Sequence, residues 1–251
     1  MNRGTAEFQP RRLHKMFLNR FDLMRLRCPS RKLARVSQEE LAAKPDSEVT
    51  VIDVRIVKEF AEGHVPGSLN VYLGNAAFAS CVELFVPKWS QIIFVVEKAQ
   101  EAGRAAAKLG RAGYPDIGGF IVADKLSETD RLTRLNVFDL KSTLSRGRKP
   151  AILDVRSAGE WTATRIPDSK NIPLRQLAAR SSELCSSSPL VVVCEDGYSS
   201  AVAASWLQSK GFDSVQHLNG GMHAYAGGAF SEYADALATS SLQYDSAAFG
   251  V

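Results

Sequence analysis

The fold is indicated by a short stretch that occurs twice, as Val51-Ile52-Asp53-Val54-Arg55 and as Ala151-Ile152-Leu153-Asp154-Val155-Arg156. Each copy is an apolar run that ends in Asp-Val-Arg, which is typical of a buried strand. The two copies lie 101 residues apart. Further matches occur at the same spacing: Glu59 with Glu160, Phe60 with Trp161, Pro66 with Pro167, and Asn70 with Asn171. An internal repeat of this length predicts two copies of one structural unit.

A second half of the repeat follows at a spacing of 98 residues. The apolar runs Gln91–Val96 and Leu190–Cys194 each precede an Ala-rich helical stretch, and these stretches end in Gly113-Tyr114 and Gly211-Phe212. Both copies then contain a Gly-Gly pair, with about four fewer residues before it in the first copy. We expect these pairs to be equivalent: Gly118-Gly119 and Gly220-Gly221.

Short apolar strands that alternate with helical segments predict an α/β fold with largely parallel sheets. We expect helices to begin after Ser37, which opens a capping box with Glu40, and after Asn136. The predicted organisation is a basic helical leader (1–35), a first domain (36–126), a linker (127–135), a second domain (136–230) and a mobile tail (231–251).

The charge of the chain is concentrated near its start. Residues 1–35 carry a net charge of +8, whereas the whole chain carries +4. Apolar residues recur in this leader at helical spacing, which predicts a basic amphipathic helix: Leu13, Phe17, Phe21 and Met24. The leader is interpreted either as an organelle-targeting peptide, as a patch for acidic partners, or as a helix docked on the body of the protein. We favour docking, because Asp22 and the scarcity of serine fit a transit peptide poorly.

Apolar runs long enough to span a membrane do not occur in the sequence, and no secretory signal is recognised. We therefore expect a cytoplasmic protein that binds neither membranes nor nucleic acid. The four cysteines form no CxxC pair and the four histidines form no HxHxDH cluster, so we predict no metal and no cofactor. Any cysteine chemistry must then use single residues. Cys185 precedes the strand that ends at Cys194, so we expect it to be a surface residue too distant for a disulfide.

The candidate for that chemistry is Cys194, in the stretch Val191-Val192-Val193-Cys194-Glu195-Asp196-Gly197-Tyr198-Ser199-Ser200. A strand ends at this cysteine, and a short glycine-containing loop leads directly into a helix. Backbone N–H groups and the helix N-terminus can converge on a sulfur placed there. Such a setting predicts a thiol pKa lowered to roughly 3.5–7.5. The alternative is an inert, buried cysteine.

Taken together, these landmarks resemble the rhodanese superfamily over residues 36–230. The resemblance rests on the two Asp-Val-Arg strands, on Gly63-His64-Val65-Pro66-Gly67-Ser68-Leu69-Asn70, on the loop after Cys194, and on the Gly-Gly pairs. It implies two tandem rhodanese-like domains, each a five-stranded, mainly parallel sheet flanked by helices. It also implies that Cys194 carries sulfur as a persulfide. The donor would be bound by the six residues that follow: Glu195, Asp196, Gly197, Tyr198, Ser199 and Ser200.

The six-residue loop looks like that of the small single-domain thiosulfate sulfurtransferases. The tandem arrangement is similar to the rhodanese repeats fused to metallo-β-lactamase-fold persulfide dioxygenases, without the metal domain. The first copy has Val96 opposite Cys194 and Ala99 opposite Gly197, so we predict that it is catalytically silent. Cys81 lies before its strand and does not substitute for the missing thiol.

Both copies contain the same three charged residues, which are Asp53, Arg55 and Glu59 in the first and Asp154, Arg156 and Glu160 in the second. Because the copy without the thiol also has them, we interpret them as structural. We expect Arg156 to pair with Glu160 and Asp154 to cap a turn. The resemblance implies an enzyme of the thiosulfate sulfurtransferase type. Its predicted donors are thiosulfate or a persulfide, and its acceptors a thiol or cyanide, with a sulfur-carrier protein as a further candidate partner.

Two carboxylates directly after the nucleophile, Glu195 and Asp196, are expected to oppose the thiosulfate dianion. The alternative functions are a non-catalytic scaffold and a cysteine-based redox or persulfide sensor. A phosphatase is disfavoured, because Ser199 and Ser200 stand where that chemistry needs an arginine.

Overall fold

A computed structural model describes residues 33–45, 48–148 and 150–227. The predicted leader helix and tail lie almost wholly outside the described residues, as do Cys28 and His14. Two α/β units follow one another along the chain, each built on a parallel sheet. This confirms the predicted fold class. None of the helices in the described part of the chain is long and apolar enough to cross a membrane.

The first domain has a four-stranded sheet with the order β2-β1-β3-β4. Its elements are α1 (Gln38–Ala42), β1 (Val49–Asp53), α2 (Val57–Glu62), β2 (Leu69–Asn70), α3 (Phe78–Phe85), β3 (Gln91–Val96), α4 (Ala99–Arg111), β4 (Ile117–Val122) and a 3₁₀ turn at Ala123–Lys125. The resemblance implied five strands. In the described residues, a single bridge between Arg35 and Phe120 stands at the β4 edge, where the second domain has its fifth strand.

The second domain has five parallel strands in the order β5-β9-β8-β6-β7. Its elements are β5 (Thr133–Leu135), α5 (Val137–Ser145), β6 (Ala151–Asp154), α6 (Ala158–Ala163), β7 (Lys170–Asn171), α7 (Leu174–Arg180), a 3₁₀ turn at Ser181–Glu183, β8 (Leu190–Val193), α8 (Tyr198–Ser209), β9 (Val215–Leu218) and α9 (Gly221–Tyr225). The predicted linker 127–135 is therefore wrong at its end, because β5 pairs with β9.

Two helices begin where the sequence predicts them. The Ser37 hydroxyl accepts a hydrogen bond from the Glu40 N–H, and the Glu40 carboxylate accepts one from the Ser37 N–H, which completes the capping box before α1. The Asn136 side chain accepts a hydrogen bond from the Asp139 N–H and caps α5. In both cases a side-chain oxygen satisfies a backbone donor that the first helical turn leaves free.

The two Gly-Gly pairs are not equivalent, contrary to the expectation from the sequence. Gly118 and Gly119 lie within β4, where Gly119 pairs with Ile93. Gly220 and Gly221 instead follow β9 at the end of the strand. The strand registers place Ala123 and Asp124 opposite this second pair, and a 3₁₀ turn there replaces α9. The expected equivalence of the two pairs rested on residue spacing, whereas the pairing of the strands decides which residues correspond.

Helix α8 is buried on all sides, whereas its counterpart α4 is amphipathic. Every residue from Ser200 to Leu207 is buried in α8. In α4 the buried residues are only Ala102, Ala105 and Leu109, one stripe at helical spacing. A helix that is buried all round needs partners on more than one side. One hydrophobic core accordingly includes Val202 and Leu207 of α8 together with Leu69 and Phe78 of the first domain.

The duplicated Asp-Val-Arg strands end in the same ion pair. The Arg55 guanidinium donates to both Asp53 carboxylate oxygens at 2.6–3.1 Å, and Arg156 does the same to Asp154 at 2.8–3.2 Å. The predicted Arg156–Glu160 pair is wrong, because Glu160 instead caps α6 with Ser157. Asp154 also accepts the Arg156 N–H, which agrees with the predicted turn cap.

Candidate active site

Cys194 follows the last residue of β8, at the carboxyl edge of the second sheet. The Val155 N–H donates to the Val193 carbonyl at 2.9 Å, just as the Val54 N–H donates to the Val95 carbonyl at 3.0 Å. The two registers therefore place Val96 opposite Cys194. The Cys194 side chain is buried, with 2% of the residue exposed.

The Cys194 sulfur is surrounded by its own loop. The Gly197 N–H donates to Sγ at 3.1 Å, and the thiol lies 3.4 Å from the Ser200 hydroxyl and 3.7 Å from Asp196 Oδ1. Gly197 has φ 101°, a left-handed conformation that turns its N–H toward the sulfur. Helix α8 begins at the next residue, so its N-terminus points toward the sulfur as well.

The thiol of Cys194 is not acidified, contrary to the expectation from the sequence. Burial and then the nearby Asp196 carboxylate raise its pKa to about 11. The hydrogen bonds with Ser200 and Gly197 lower it, but they do not offset these two effects. The difference arises because a helix N-terminus acidifies a cysteine only where the charged form is not excluded by burial or by a like charge.

The first turn of α9 binds the backbone of the Cys194 loop. The Met222 N–H donates to the Cys194 carbonyl at 2.8 Å, and the His223 N–H donates to the Glu195 carbonyl at 3.0 Å. Gly221 has φ +57°, and a Cβ added there would lie 2.4 Å from the Cys194 carbonyl oxygen. Sequence reasoning missed this role of Gly221, because the Gly-Gly pair served there only as a landmark of the repeat.

The two carboxylates after the cysteine have different surroundings. Glu195 Oε2 lies 3.1 Å from Nη1 of Arg156, which is itself anchored by Asp154. Asp196 accepts the Tyr198 N–H at 3.0 Å and lies beside the sulfur. Arg156 compensates the charge of Glu195, so Asp196 is the carboxylate that acts most directly on the thiol.

The remaining predicted site residues divide into loop and core positions. The Ser200 hydroxyl donates to the Gly197 carbonyl at 3.0 Å and is fully buried next to the sulfur. Ser199 is half-buried in the first turn of α8. The Tyr198 side chain packs against the core shared by the two domains, and its hydroxyl is buried. Tyr198 therefore lies behind the loop and does not line an open donor site.

The corresponding loop of the first domain is closed by a carboxylate. The N–H groups of Glu97 and Lys98 donate to Oε2 of Glu101 at 3.0 and 3.1 Å. A glutamate side chain thus binds two backbone N–H groups of this loop and forms the capping box of α4. The sequence contained this signal as a glutamate three residues after Lys98, whereas the prediction rested on Val96 and Ala99.

In the described part of the chain, Cys185, His64 and His217 each have surroundings of their own. Cys185 is exposed, and hydrogen bonds with Ser187 and Ser188 lower its pKa to about 7. The His64 ring stacks on the Phe60 ring, and His64 Nδ1 lies 2.9 Å from the Phe60 carbonyl oxygen. His217 is buried, and burial lowers its pKa to about 3. Within the described ranges, no three His, Cys, Asp or Glu side chains are arranged to hold a metal ion.

A model of the rhodanese-like domain matches residues 37–120 and again residues 138–227. The chain belongs to the rhodanese family. The two matches correspond to the two α/β units of the structure. The tandem rhodanese-like organisation that the sequence predicted is thereby confirmed.

Curated relatives of this rhodanese chain include proteins named for sulfur transfer. It is 34% identical over 80 residues to thiosulfate sulfurtransferase GlpE of Pseudomonas savastanoi pv. phaseolicola, covering 32% of this chain and 76% of that one. It is 30% identical over 130 residues to adenylyltransferase and sulfurtransferase MOCS3 of Arabidopsis thaliana, covering 45% of this chain and 28% of that one. The chain spans less than two thirds of the length of several curated relatives, MOCS3 included. Sulfur transfer is therefore supported at the level of the family.

A thiosulfate sulfurtransferase from Pseudomonas aeruginosa aligns over 82% of this chain and 47% of its own, with 20% identity and a TM-score of 0.34.

Proposed function

We propose that this rhodanese-family chain is a sulfurtransferase that carries sulfane sulfur on Cys194. The observation that carries the proposal is the Gly197 N–H directed at Cys194 Sγ at 3.1 Å, at the N-terminus of α8. A backbone donor in this position is suited to an anionic sulfur. The first domain has a valine at the same register position and does not take part in the chemistry.

The proposed reaction has two steps. The Cys194 thiolate attacks the outer sulfur of a donor, the sulfur–sulfur bond of the donor breaks, and its leaving group departs with the electron pair as sulfite or a thiolate. The product is a Cys194 persulfide anion, which the Gly197 N–H stabilises. An acceptor thiolate or cyanide then attacks the outer sulfur, and the Cys194 thiolate is released.

Before the first step, the loop must open. Cys194 is 2% exposed and its pKa is raised to about 11 by burial and by Asp196. Movement of the exposed Asp196 side chain away from the sulfur would expose Sγ and remove the neighbouring negative charge. Both changes favour the thiolate, so we expect donor binding and thiol ionisation to occur together.

A donor of low negative charge suits this loop best. Asp196 lies 3.7 Å from the sulfur and opposes a dianion, whereas Glu195 is paired with Arg156. We therefore propose a persulfide as the preferred donor, with thiosulfate as a weaker one. The acceptor would be a small thiol or a sulfur-carrier protein in the cytoplasm. A relative in Bacillus subtilis, 33% identical over 76 residues, is named a putative sulfur carrier protein.

The test is a transfer assay with thiosulfate, 3-mercaptopyruvate and glutathione persulfide on the wild type, Cys194→Ser and the matched control Cys185→Ser. We expect the wild type and Cys185→Ser to be active, and Cys194→Ser to fall to background. Intact mass and peptide mapping should place one added sulfur on Cys194. Transfer that persists in Cys194→Ser, or sulfur mapped to another cysteine, would contradict the proposal.

The burial and raised pKa of Cys194 favour a second candidate, a non-catalytic rhodanese-like scaffold. In that case the wild type would show no transfer above Cys194→Ser with any of the three donors. The same assay therefore decides between the two functions.

A further inference from the structure

The helix that follows the Cys194 loop, α8, is shared by the two domains. On one side it packs against β8 and β9 of its own sheet, and on another against β2, the edge strand of the first sheet. This explains why Ala201, Ala203 and Ala204 are all fully buried, although they point in different directions around the helix. The first domain thus supplies part of the surface that holds α8.

A hydrogen bond fixes the middle of α8 to the first domain. Asn70 is the last residue of β2, and its backbone N–H points away from its own sheet. It donates to the Ser205 hydroxyl oxygen at 2.9 Å, and the same hydroxyl donates to the Val202 carbonyl at 3.0 Å. Asn70 and Ser205 are both 1% exposed. Because a buried N–H without an acceptor is costly, this contact sets the position of α8 along the strand.

A second contact fixes the first residue of α8. The Tyr198 side chain is partly buried and packs against the hydrophobic core that includes Cys81, a residue on α3 of the first domain. The Tyr198 N–H, in turn, donates to Asp196 within the Cys194 loop. The ring of Tyr198 is therefore anchored in the first domain while its backbone belongs to the loop.

We propose that the catalytically silent first domain is a positioning platform for the Cys194 loop, and that Ser205 and Tyr198 of α8 are the positioning residues through which it acts. The inference rests on the proposed function of Cys194. The contacts hold α8 so that the Gly197 N–H, one residue before the helix, stays directed at the sulfur. The first domain would then affect the rate of sulfur transfer without touching the donor.

A matched pair of serine variants in the full chain tests this platform. Ser205 and Ser209 lie one helical turn apart on α8, and both hydroxyls donate to a carbonyl of their own helix. Only Ser205 also accepts the N–H of Asn70. We expect Ser205→Ala to lower kcat/KM for the donor about tenfold per folded protein, because small displacements of a catalytic group are costly. Ser209→Ala should leave it within about twofold of the wild type.

The second measurement is the alkylation of Cys194 by a neutral reagent at pH 8, with all variants in a Cys185→Ser background. The Gly197 N–H favours the thiolate, so a displaced α8 should slow this reaction in Ser205→Ala and in Tyr198→Ala at temperatures where both remain folded. A purely structural contact would lower the melting temperature alone. Equal kcat/KM and equal alkylation rates in Ser205→Ala and Ser209→Ala would overturn the platform.

The two proposals fail in different ways. If the wild type transfers no sulfur, the function assigned to Cys194 is wrong, and the alkylation rates still test the platform. If the wild type transfers sulfur and Ser205→Ala matches Ser209→Ala, only the platform is wrong. Should Ser205→Ala not fold, Tyr198→Ala removes the ring that packs on the shared core without opening the Asn70 contact and gives the same comparison.

Discussion

The loops after β3 and β8 occupy equivalent positions in the two domains, but their backbone N–H groups bind different acceptors. In both, a strand ends and a helix begins, so backbone N–H groups are left without helical acceptors. The first domain satisfies two of them with the carboxylate of Glu101. The second directs the Gly197 N–H at the sulfur of Cys194. The first loop thus differs from the second in two ways, because it has Val96 in place of the thiol and a carboxylate bound to two of its N–H groups.

The support under the two loops differs as well. The Cys194 loop rests on two N–H groups of α9, whereas the first domain has a 3₁₀ turn at the corresponding place. The largest expected effect therefore comes from Gly221→Ala. The new Cβ would meet the Cys194 and Glu195 carbonyl oxygens at 2.4 and 2.5 Å. We expect sulfur transfer to fall more than about 100-fold, measured as kcat/KM per folded protein.

The control for this variant is Gly211→Ala. Gly211 also has a positive φ, +83°, but a Cβ added there would have no other atom within 4 Å. It should cost about 1–2 kcal/mol of stability from backbone strain and leave transfer unchanged. Similar transfer rates in the two variants would show that α9 does not hold the loop.

The second prediction concerns the silent loop, in a Cys194→Ser background. Val96→Cys alone should give no measurable transfer, because Glu101 still occupies the N–H groups of Glu97 and Lys98. Adding Glu101→Ser should raise the alkylation rate of the new thiol about tenfold at pH 8, since a carboxylate no longer opposes the thiolate. Equal rates in the single and double variants would mean that Glu101 does not block this loop.

The third prediction distinguishes the effects of Asp196 and Glu195 on the reactivity of the Cys194 thiol. Alkylation of Cys194 should rise about tenfold per pH unit from pH 7 to 10, because its pKa is about 11 and only the thiolate reacts. Asp196→Asn removes the neighbouring negative charge and should lower this pKa by about one unit, which speeds the reaction about tenfold at pH 8. Thiosulfate KM should also fall.

Glu195→Gln serves as the matched control, because Arg156 already compensates that carboxylate. We expect its effect on the alkylation rate to be about twofold or less. If Glu195→Gln accelerates alkylation as much as Asp196→Asn does, the ion pair with Arg156 does not shield the sulfur.

Local patterns in the sequence were sufficient for the architecture. The repeated Asp-Val-Arg strands, the capping box after Ser37 and the cap at Asn136 depend on residues close together in the chain. The position of Cys194 at the end of a strand could be predicted for the same reason. Helix α8 contains no charged residue from Tyr198 to Ser209, and this was a signal for burial on several sides.

The electrostatics of the site could not be predicted, because they depend on contacts between distant residues. Arg156 and Glu195 are 39 residues apart, and the pairing depends on how β6 and β8 align. The pKa of Cys194 depends on how completely the loop and α9 enclose it. The equivalence of the Gly-Gly pairs failed similarly, since only strand register shows which residues face each other.

The contact between Asn70 and Ser205 also bears on how the chain folds during synthesis. The two residues are 135 positions apart, and the first domain leaves the ribosome first. At usual rates of translation, β2 is synthesised about 7 to 27 s before the helix that covers its edge. An uncovered edge strand is a template for pairing with other chains. The same edge that receives α8 in the finished protein is thus where a nascent chain is most exposed to aggregation, and the brevity of β2, two residues, keeps that risk small.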